Sequence, residues 1–306
     1  MASEADGVEA RREALSAVLA TDDFRPSTSH VDIEIGARSH QGCERPSNED
    51  HYLIIRLGRH QDTVMTSLPR ADLPARFDEC GYAMLVADGL GETGAGAVAS
   101  RVALSALAHL AIHFGQWRLR IDPLVAAEIK ERAEWYYHQA NAAVTGHSRT
   151  HAALAGMATT VTAAYAVGAD LFLAHVGHSR AYLYRSGALT QLTRDHTLAW
   201  QLQNASGPTS VDRGTQDLRH ILTETIGGGR DSPLVDVEHI GLSHGDGVLL
   251  CTNGLTDSIS EDRIAEVLTF RRTSQEQCRL LVDLALRADT QDNVTVILAQ
   301  YAIRRT

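Results

Sequence analysis

Between Ala158 and Thr193 the chain carries four short strand-like runs, ATTVTAAYAV, DLFLAHV, AYLYR and ALTQLT, with Gly-Ala-Asp and Ser-Gly at hairpin-like turns. Strands this close together pair antiparallel, because a parallel neighbour needs a crossover of about a dozen residues or more. Two helical stretches precede this block. From about Gly94 to Phe114, Val98, Val102, Leu107 and Ala111 recur at helical spacing. A second helix over about 124–146 aligns Val125, Ile129, Ala133, Tyr136 and Ala140, with Pro123 at its first turn. Further upstream, VDIEIGAR and HYLIIRL alternate as half-buried strands do, and YAMLVAD is a strand-length apolar run ending at Asp88. The stretch from Gly58 to Cys80, with two prolines and scattered charge, predicts a loop or insertion. Downstream come a polar segment (about 196–220), strands near 235–240 and 247–251, helices near 260–270 and 274–288, and a closing strand NVTVILAQY. Blocks of strands with paired helices do not make the regular βαβα alternation of a doubly wound fold. They predict an α+β fold: a four-layer α-β-β-α sandwich, two mostly antiparallel sheets flanked by pairs of helices.

Residues 1–30 hold a short amphipathic stretch around Ala10–Leu19 and a polar TDDFRPSTSH, and are read as an extension to a domain over 31–303. With 44% hydrophobic and 22% charged residues the 306-residue chain is ordinary for a globular protein. No apolar run approaches the roughly 18 residues of a membrane-spanning helix, and the opening residues lack the order of a secretory signal. A cytoplasmic location without membrane association is therefore expected. The four cysteines, Cys43, Cys80, Cys251 and Cys278, form no C-x-x-C pair and are read as buried reduced thiols. A formal charge of −10 opposes nucleic acid as a partner.

Glu49 and Asp50 in NED, Asp88 in VADG and Asp292 in QDNVTV each stand beside a short apolar run and near a turn, where a rigid scaffold can aim a side chain into a cleft. Taken singly, such an acid is more often a turn former or a solvated group. Converging, they would repel one another unless a divalent cation lay between them, and hard oxygen donors without cysteine point to Mg²⁺ or Mn²⁺. Two such ions can activate water and neutralise phosphoryl oxygens. Arg45, four residues before Glu49, could grip the phosphate in its fork. Spacing alone does not bring these residues together.

Several segments, in order, resemble the metal-dependent PPM phosphatases (protein phosphatase 2C-like). They are GCERPSNED (42–50), VADGLGETGAGAVAS (86–100), the hairpin region 156–197, LLCTNGLTD (249–257) and QDNVTVILA (291–299). The resemblance spans about 31–302. It implies a β-sandwich flanked by helix pairs and hydrolysis of phosphoserine or phosphothreonine in proteins, among them targets of a Ser/Thr kinase, without a covalent phosphoenzyme. It further implies that Asp88 bridges two metal ions and the Gly89 carbonyl ligates one. Glu49 stands on that metal's side, with Asp50 supporting bound water; Asp292 ligates the other metal, and Arg45 holds the phosphate.

Departures from the pattern carry their own expectations. Asn253 in Thr252-Asn253-Gly254 stands where the family usually has a metal-binding aspartate, so it can donate an oxygen but no charge. His178 in GHSR replaces an aspartate tied to a third ion, and imidazole suits Mn²⁺ better than Mg²⁺. Two ions with Mn²⁺ preferred are expected, with a third site weak, altered or absent. The plainer reading of His178 is packing at a turn. Leu90 stands where eukaryotic members carry a histidine, and residues 196–220 match the family's flap. The alternative function is a degenerate phosphatase acting as a binding or regulatory module because of Asn253 and His178. The pairs His109/His113 and His147/His151 have zinc-like spacing but no completing Glu or Cys, and Ser179 and Ser186 lack a triad context.

Overall fold

The computed structural model describes residues 31–69, 76–92, 94–116, 121–206 and 217–304. Strand β1 (Val31–His40) pairs along its whole length with β13 (Val294–Ile303), so the two ends of the domain close one sheet together. That sheet continues through β12 (Gly247–Cys251) and β8 (Arg180–Arg185) to β9 (Ala188–Gln191). The second sheet runs β11 (Asp236–Gly241), β7 (Asp170–Val176), β6 (Val161–Val167), β3 (Arg76–Ala87) and β2 (His51–Asp62). A small third sheet joins β10 (Ile226–Gly227), β5 (Ala158–Thr159) and β4 (Gly89–Leu90). Every pairing is antiparallel.

Successive side chains on a strand face opposite ways, and here both faces are covered. Met84 and Val86 of β3 meet Val248, Leu250, Ile297 and Ala299 between the two large sheets. Their neighbours Leu85 and Ala87 face outward onto α1 (Ala95–Phe114) and α2 (Pro123–Thr150), against Ala99, Ala103, Leu107, Tyr137 and Val144. On the opposite side Leu249, Cys251, Val296 and Leu298 face α5 (Glu261–Thr269) and α6 (Ser274–Arg287), against Ile264, Val267, Cys278 and Leu281. The result is the four-layer α-β-β-α order, and it explains why the inner strands read as unbroken apolar runs.

The helices start where side chains can satisfy their first N–H groups. Asp122 accepts from the Val125 N–H at 2.8 Å, with Pro123 in the first turn of α2. Ser260 caps α5, and Thr273 with Glu276 forms a reciprocal capping box on α6. Helix α1 is long and apolar enough to cross a membrane by length and composition, contrary to the sequence expectation. Its buried face, including Ala99, Ala103 and Leu107, packs on the second sheet.

Three further expectations need correction. Residues 58–80 are not one loop: β2 and β3 form a long hairpin paired from His51–Ala87 out to Asp62–Arg76. Pro69 falls beyond the paired stretch, where no ladder N–H is required, and Pro74 lies outside the described residues. The run ATTVTAAYAV is two strands in different sheets, broken at Thr160. Only Cys251 and Cys278 are buried thiols; Cys80 is half-buried and Cys43 exposed. The polar segment 196–220 contains a helix, α3 (Leu198–Ser206), and ends in a 3₁₀ turn at Asp217–His220. The extension 1–30 lies outside the described residues.

Candidate metal centre

At Asp88 strand β3 leaves its sheet, and β4 begins one residue later in the small sheet. The break is fixed from both sides. The Asp88 carbonyl accepts from the Thr160 N–H (2.9 Å) and the Thr159 hydroxyl (2.8 Å), and its N–H donates to Thr160 Oγ1 (3.2 Å). Thr160 is where β5 gives way to β6, so two strand breaks hold each other. The Asp88 side chain is thereby held rigid in a buried position.

Glu49 and Asp50 lie just before β2. The Glu49 carbonyl accepts from the Ser100 hydroxyl of α1 (2.7 Å), and its N–H donates to Asn293 Oδ1 (2.7 Å). The Glu49 carboxylate lies against the first turn of α1, and a Cβ on Gly96 would collide with it and with the Gly89 backbone. A helix N-terminus favours a negative group there. Asp50 is buried; its Oδ2 accepts from Thr252 (2.7 Å), while Oδ1 has no partner. Asn293 also donates to the carbonyls of Gln41 (2.7 Å) and Ser47 (3.0 Å), so it clamps the whole 41–49 segment beside Asp292. Asp292 itself receives the Arg45 guanidinium on both oxygens, at 2.8 and 3.0 Å.

Two neutral donors complete the set. Asn253 opens the short helix α4 (Asn253–Thr256) directly after β12; its Oδ1 is buried and unpartnered, and its amide nitrogen donates to Asp257 Oδ2 at 3.1 Å. His178 sits in the turn between β7 and β8, behind Gly177, whose φ of 114° and contact with Thr160 leave no place for a Cβ. Its Nδ1 is buried without a hydrogen-bond partner, 3.8 Å from Asp88 Oδ2. The packing reading of His178 is thus incomplete: the turn delivers its ring nitrogen to Asp88.

Titration behaviour shows how short of positive charge this cluster is. Burial raises the Asp88 carboxyl well above the ordinary range, and Asp50 and Asp292 push it further. Asp50 is pushed up to about 7, again chiefly by burial. Glu49 is raised by burial, and Asp257 likewise. Burial drives His178 down to about 4, so near neutral pH it is an uncharged imidazole with a free lone pair. Among the described residues no three His, Cys, Asp or Glu side chains are gathered as a closed metal site. Like charges without a counter-ion keep apart, and the donor set here includes an amide and a main-chain carbonyl. A cleft of about 780 Å³ opens beside these groups, lined among others by Arg45, His220, Gly254, Asp257 and Asp292.

The expected site residues Arg45, Glu49, Asp50, Asp88, Gly89, His178, Asn253 and Asp292 lie in this one region, whereas the histidine pairs and Ser186 lie elsewhere. The sequence reading missed Asn293, Thr252, Thr160 and Asp257, which hold the donors in place. Asn293 and Thr252 adjoin Asp292 and Asn253 in sequence, whereas Thr160 and Asp257 stand beside no residue of the expected site.

A profile of the protein phosphatase 2C family matches residues 66–287. The chain belongs to that family. The serine/threonine protein phosphatase PstP of Mycobacterium tuberculosis is 32% identical over 268 residues, covering 87% of this chain but 45% of PstP. The chain thus spans less than half the length of that relative. The serine/threonine phosphatase stp of Listeria monocytogenes is 30% identical over 217 residues, 71% of this chain and 83% of stp. A solved structure of the PstP catalytic domain in complex with two manganese ions superposes with a TM-score of 0.66 at 28% identity, covering 89% of this chain and 99% of that one. This phosphatase 2C member brings Arg45, Glu49, Asp50, Asp88 and Asp292 within electrostatic reach of one another. The neutral Asn253 and His178 each add a buried atom that has no hydrogen-bond partner, Oδ1 and Nδ1.

Proposed function

We propose that the chain is a protein serine/threonine phosphatase that hydrolyses phosphoserine or phosphothreonine with two divalent cations, Mn²⁺ preferred over Mg²⁺. The observation that carries this is the set of three buried, unpartnered atoms, Asp50 Oδ1, Asn253 Oδ1 and His178 Nδ1, gathered with the buried Asp88. Leaving such atoms without partners costs about 1–3 kcal/mol each, which cations at this place would offset. The residues present fit the family's metals. Asp88, the Gly89 carbonyl, Glu49, Asp50, Asp292 and Asn253 would hold two ions. His178 stands where a third would be influenced. Bound there, the cations supply charge for the phosphoryl oxygens and lower the pKa of water to a useful range.

The chain's own groups do the rest. Arg45, more than half exposed and facing the cleft, offers a planar fork matched to a phosphate. Its present partner Asp292 keeps that fork aimed at the cluster. Arg180 is not available for this task, because Asp195 takes its Nε and Nη2 at 2.6–3.1 Å and the Tyr182 hydroxyl takes its Nη1 at 3.0 Å, whereas Asp292 engages only Nε and Nη2 of Arg45. Ser179 is buried and bonded to Thr160 at 2.7 Å, which suits a positioning role rather than a nucleophile. Attack by water, without a covalent phosphoenzyme, is what the family resemblance implies, and the buried, bonded Ser179 is consistent with it. The acidic cleft wall suits basic residues flanking the phosphorylated one, with Arg45 and the bound cations left to receive the phosphate, and the fitting partners are phosphoproteins modified by a Ser/Thr kinase in the cytoplasm. The test is hydrolysis of a phosphothreonine peptide with Mn²⁺, Mg²⁺ or chelator. Turnover with Mn²⁺ above Mg²⁺ and none with chelator is expected; turnover unaffected by chelator overturns the reading.

A further inference from the structure

An asparagine at a cation-binding position has a difficulty an aspartate lacks. Its two amide arms are nearly the same shape, but one carries a lone-pair oxygen and the other two N–H donors. The oxygen attracts a cation and the NH₂ group repels it, so an amide free to turn over is a poor ligand. In this chain the amide is not free. Asn253 Nδ2 donates to Asp257 Oδ2 at 3.1 Å, one helical turn further along, and the backbone closes the same turn through the Asp257 N–H to the Asn253 carbonyl at 2.8 Å. A carboxylate only accepts, so it selects the NH₂ arm and leaves Oδ1 facing the other way. That oxygen is buried and without a partner, and Asn253 as a whole is 7% exposed. Asp257 is itself reached from the flap: His220 Nδ1 lies 3.9 Å from its Oδ2.

We propose that Asp257 is a positioning residue that locks the Asn253 amide with its oxygen toward the metal centre, offsetting the loss of an aspartate at position 253. The proposal rests on the metal-dependent reading above. It makes Asp257 necessary only while residue 253 is an amide. An aspartate at 253 presents oxygen in either orientation and has no N–H for Asp257 to hold.

The test is a double-mutant cycle read as Mn²⁺ affinity, with free Mn²⁺ followed by electron paramagnetic resonance during titration. The four proteins are the wild type, Asp257→Ala, Asn253→Asp and the double variant, with thermal midpoints of the metal-free proteins as a check on folding. Asp257→Ala is expected to weaken Mn²⁺ binding about tenfold in the wild-type background, the usual scale for losing an orienting partner of a ligand. In the Asn253→Asp background it should change affinity by less than about twofold, or tighten it, because two adjacent carboxylates are relieved. Asp257→Asn keeps an acceptor oxygen and loses the charge, and should lie closer to wild type than the alanine variant. Equal losses in both backgrounds, or Asp257→Asn as weak as Asp257→Ala, overturns the proposal and assigns Asp257 a charge or folding role. No Mn²⁺ binding by any of the four contradicts the metal-dependent reading itself, and the proposal with it.

Discussion

Glu49, Asp88 and Asp292 bring carboxyl groups to the centre from strand ends, whereas Asn253 and His178 bring neutral atoms from a one-turn helix and a tight turn. The carboxyl set is held by strand geometry and a strong ion pair: the paired strand breaks at Asp88 and Thr160, and the two-pronged contact of Arg45 with Asp292. The neutral group is held by hydrogen bonds to single neighbours. Asp257 holds Asn253, and a buried network holds the turn that carries His178. In that network His175 meets Thr162 (2.8 Å) and the carbonyls of Gly177 (3.0 Å) and Arg194 (3.1 Å). His196 accepts from the Gly177 N–H (3.2 Å) and reaches Asp236 (3.1 Å). Charge can hold a cation from an imperfect position, because Coulomb attraction falls slowly with distance. A neutral donor acts only when it is aimed, so it needs its supports.

That contrast orders the expected effects. Asp292→Ala removes a charged donor and the partner of Arg45 together. It should cost about a thousandfold in kcat/KM with Mn²⁺, equivalent to roughly 4 kcal/mol; a loss under tenfold would erase the distinction between the two groups. Arg45→Ala should lower kcat/KM by about 10–100-fold, the worth of one to two charge-assisted hydrogen bonds, with Mn²⁺ affinity changed far less. Steady-state kinetics beside a Mn²⁺ titration separates the two. Asn253→Asp converts a neutral donor into a charged one and should tighten Mn²⁺ binding by about tenfold, since ligand charge sets hard-cation affinity. His178→Asp should narrow the preference for Mn²⁺ over Mg²⁺. An unchanged ratio would leave His178 as a turn residue.

The smallest expected effect is on stability. Burial lowers the His175 pKa to about 3, against an ordinary value of 6.5. Below pH 6.5 the unfolded chain therefore takes up a proton that the folded chain refuses. Stability from this group is complete above pH 6.5 and is lost as pH falls toward 3, at about 1.4 kcal/mol per pH unit. His178 adds to that slope and Asp50 opposes it, so the check is denaturant unfolding of the wild type beside His175→Gln between pH 7 and 5, where the two slopes should differ by about that amount. An unchanged slope in the variant would remove His175 from the account.

The same contrast explains what was legible in the sequence. Strand ends with acids announce themselves, since apolar alternation stops at a turn beside Asp88 and begins again just after Glu49-Asp50 and Asp292. The layer order followed from paired helices around unbroken strands. The long β2–β3 hairpin was hidden because two prolines and scattered charge in the sequence between its strands masked the pairing on either side. The break at Thr160 was hidden because threonine suits a strand and a strand break equally; only its bonds to Asp88 and Ser179 show which it is. Supports such as Asn293 on Glu49, or Thr252 on Asp50, join residues more than two hundred positions apart. No local pattern encodes such pairs.

The central claim is that the buried Asp88 organises a metal-dependent phosphatase centre. The most direct measurement is phosphothreonine-peptide hydrolysis with saturating Mn²⁺ by the wild type and by Asp88→Ala, both checked for folding. The account predicts turnover in the wild type and a loss of about a thousandfold or more in the variant. Equal turnover in the two proteins, or none in a folded, Mn²⁺-loaded wild type, would contradict it.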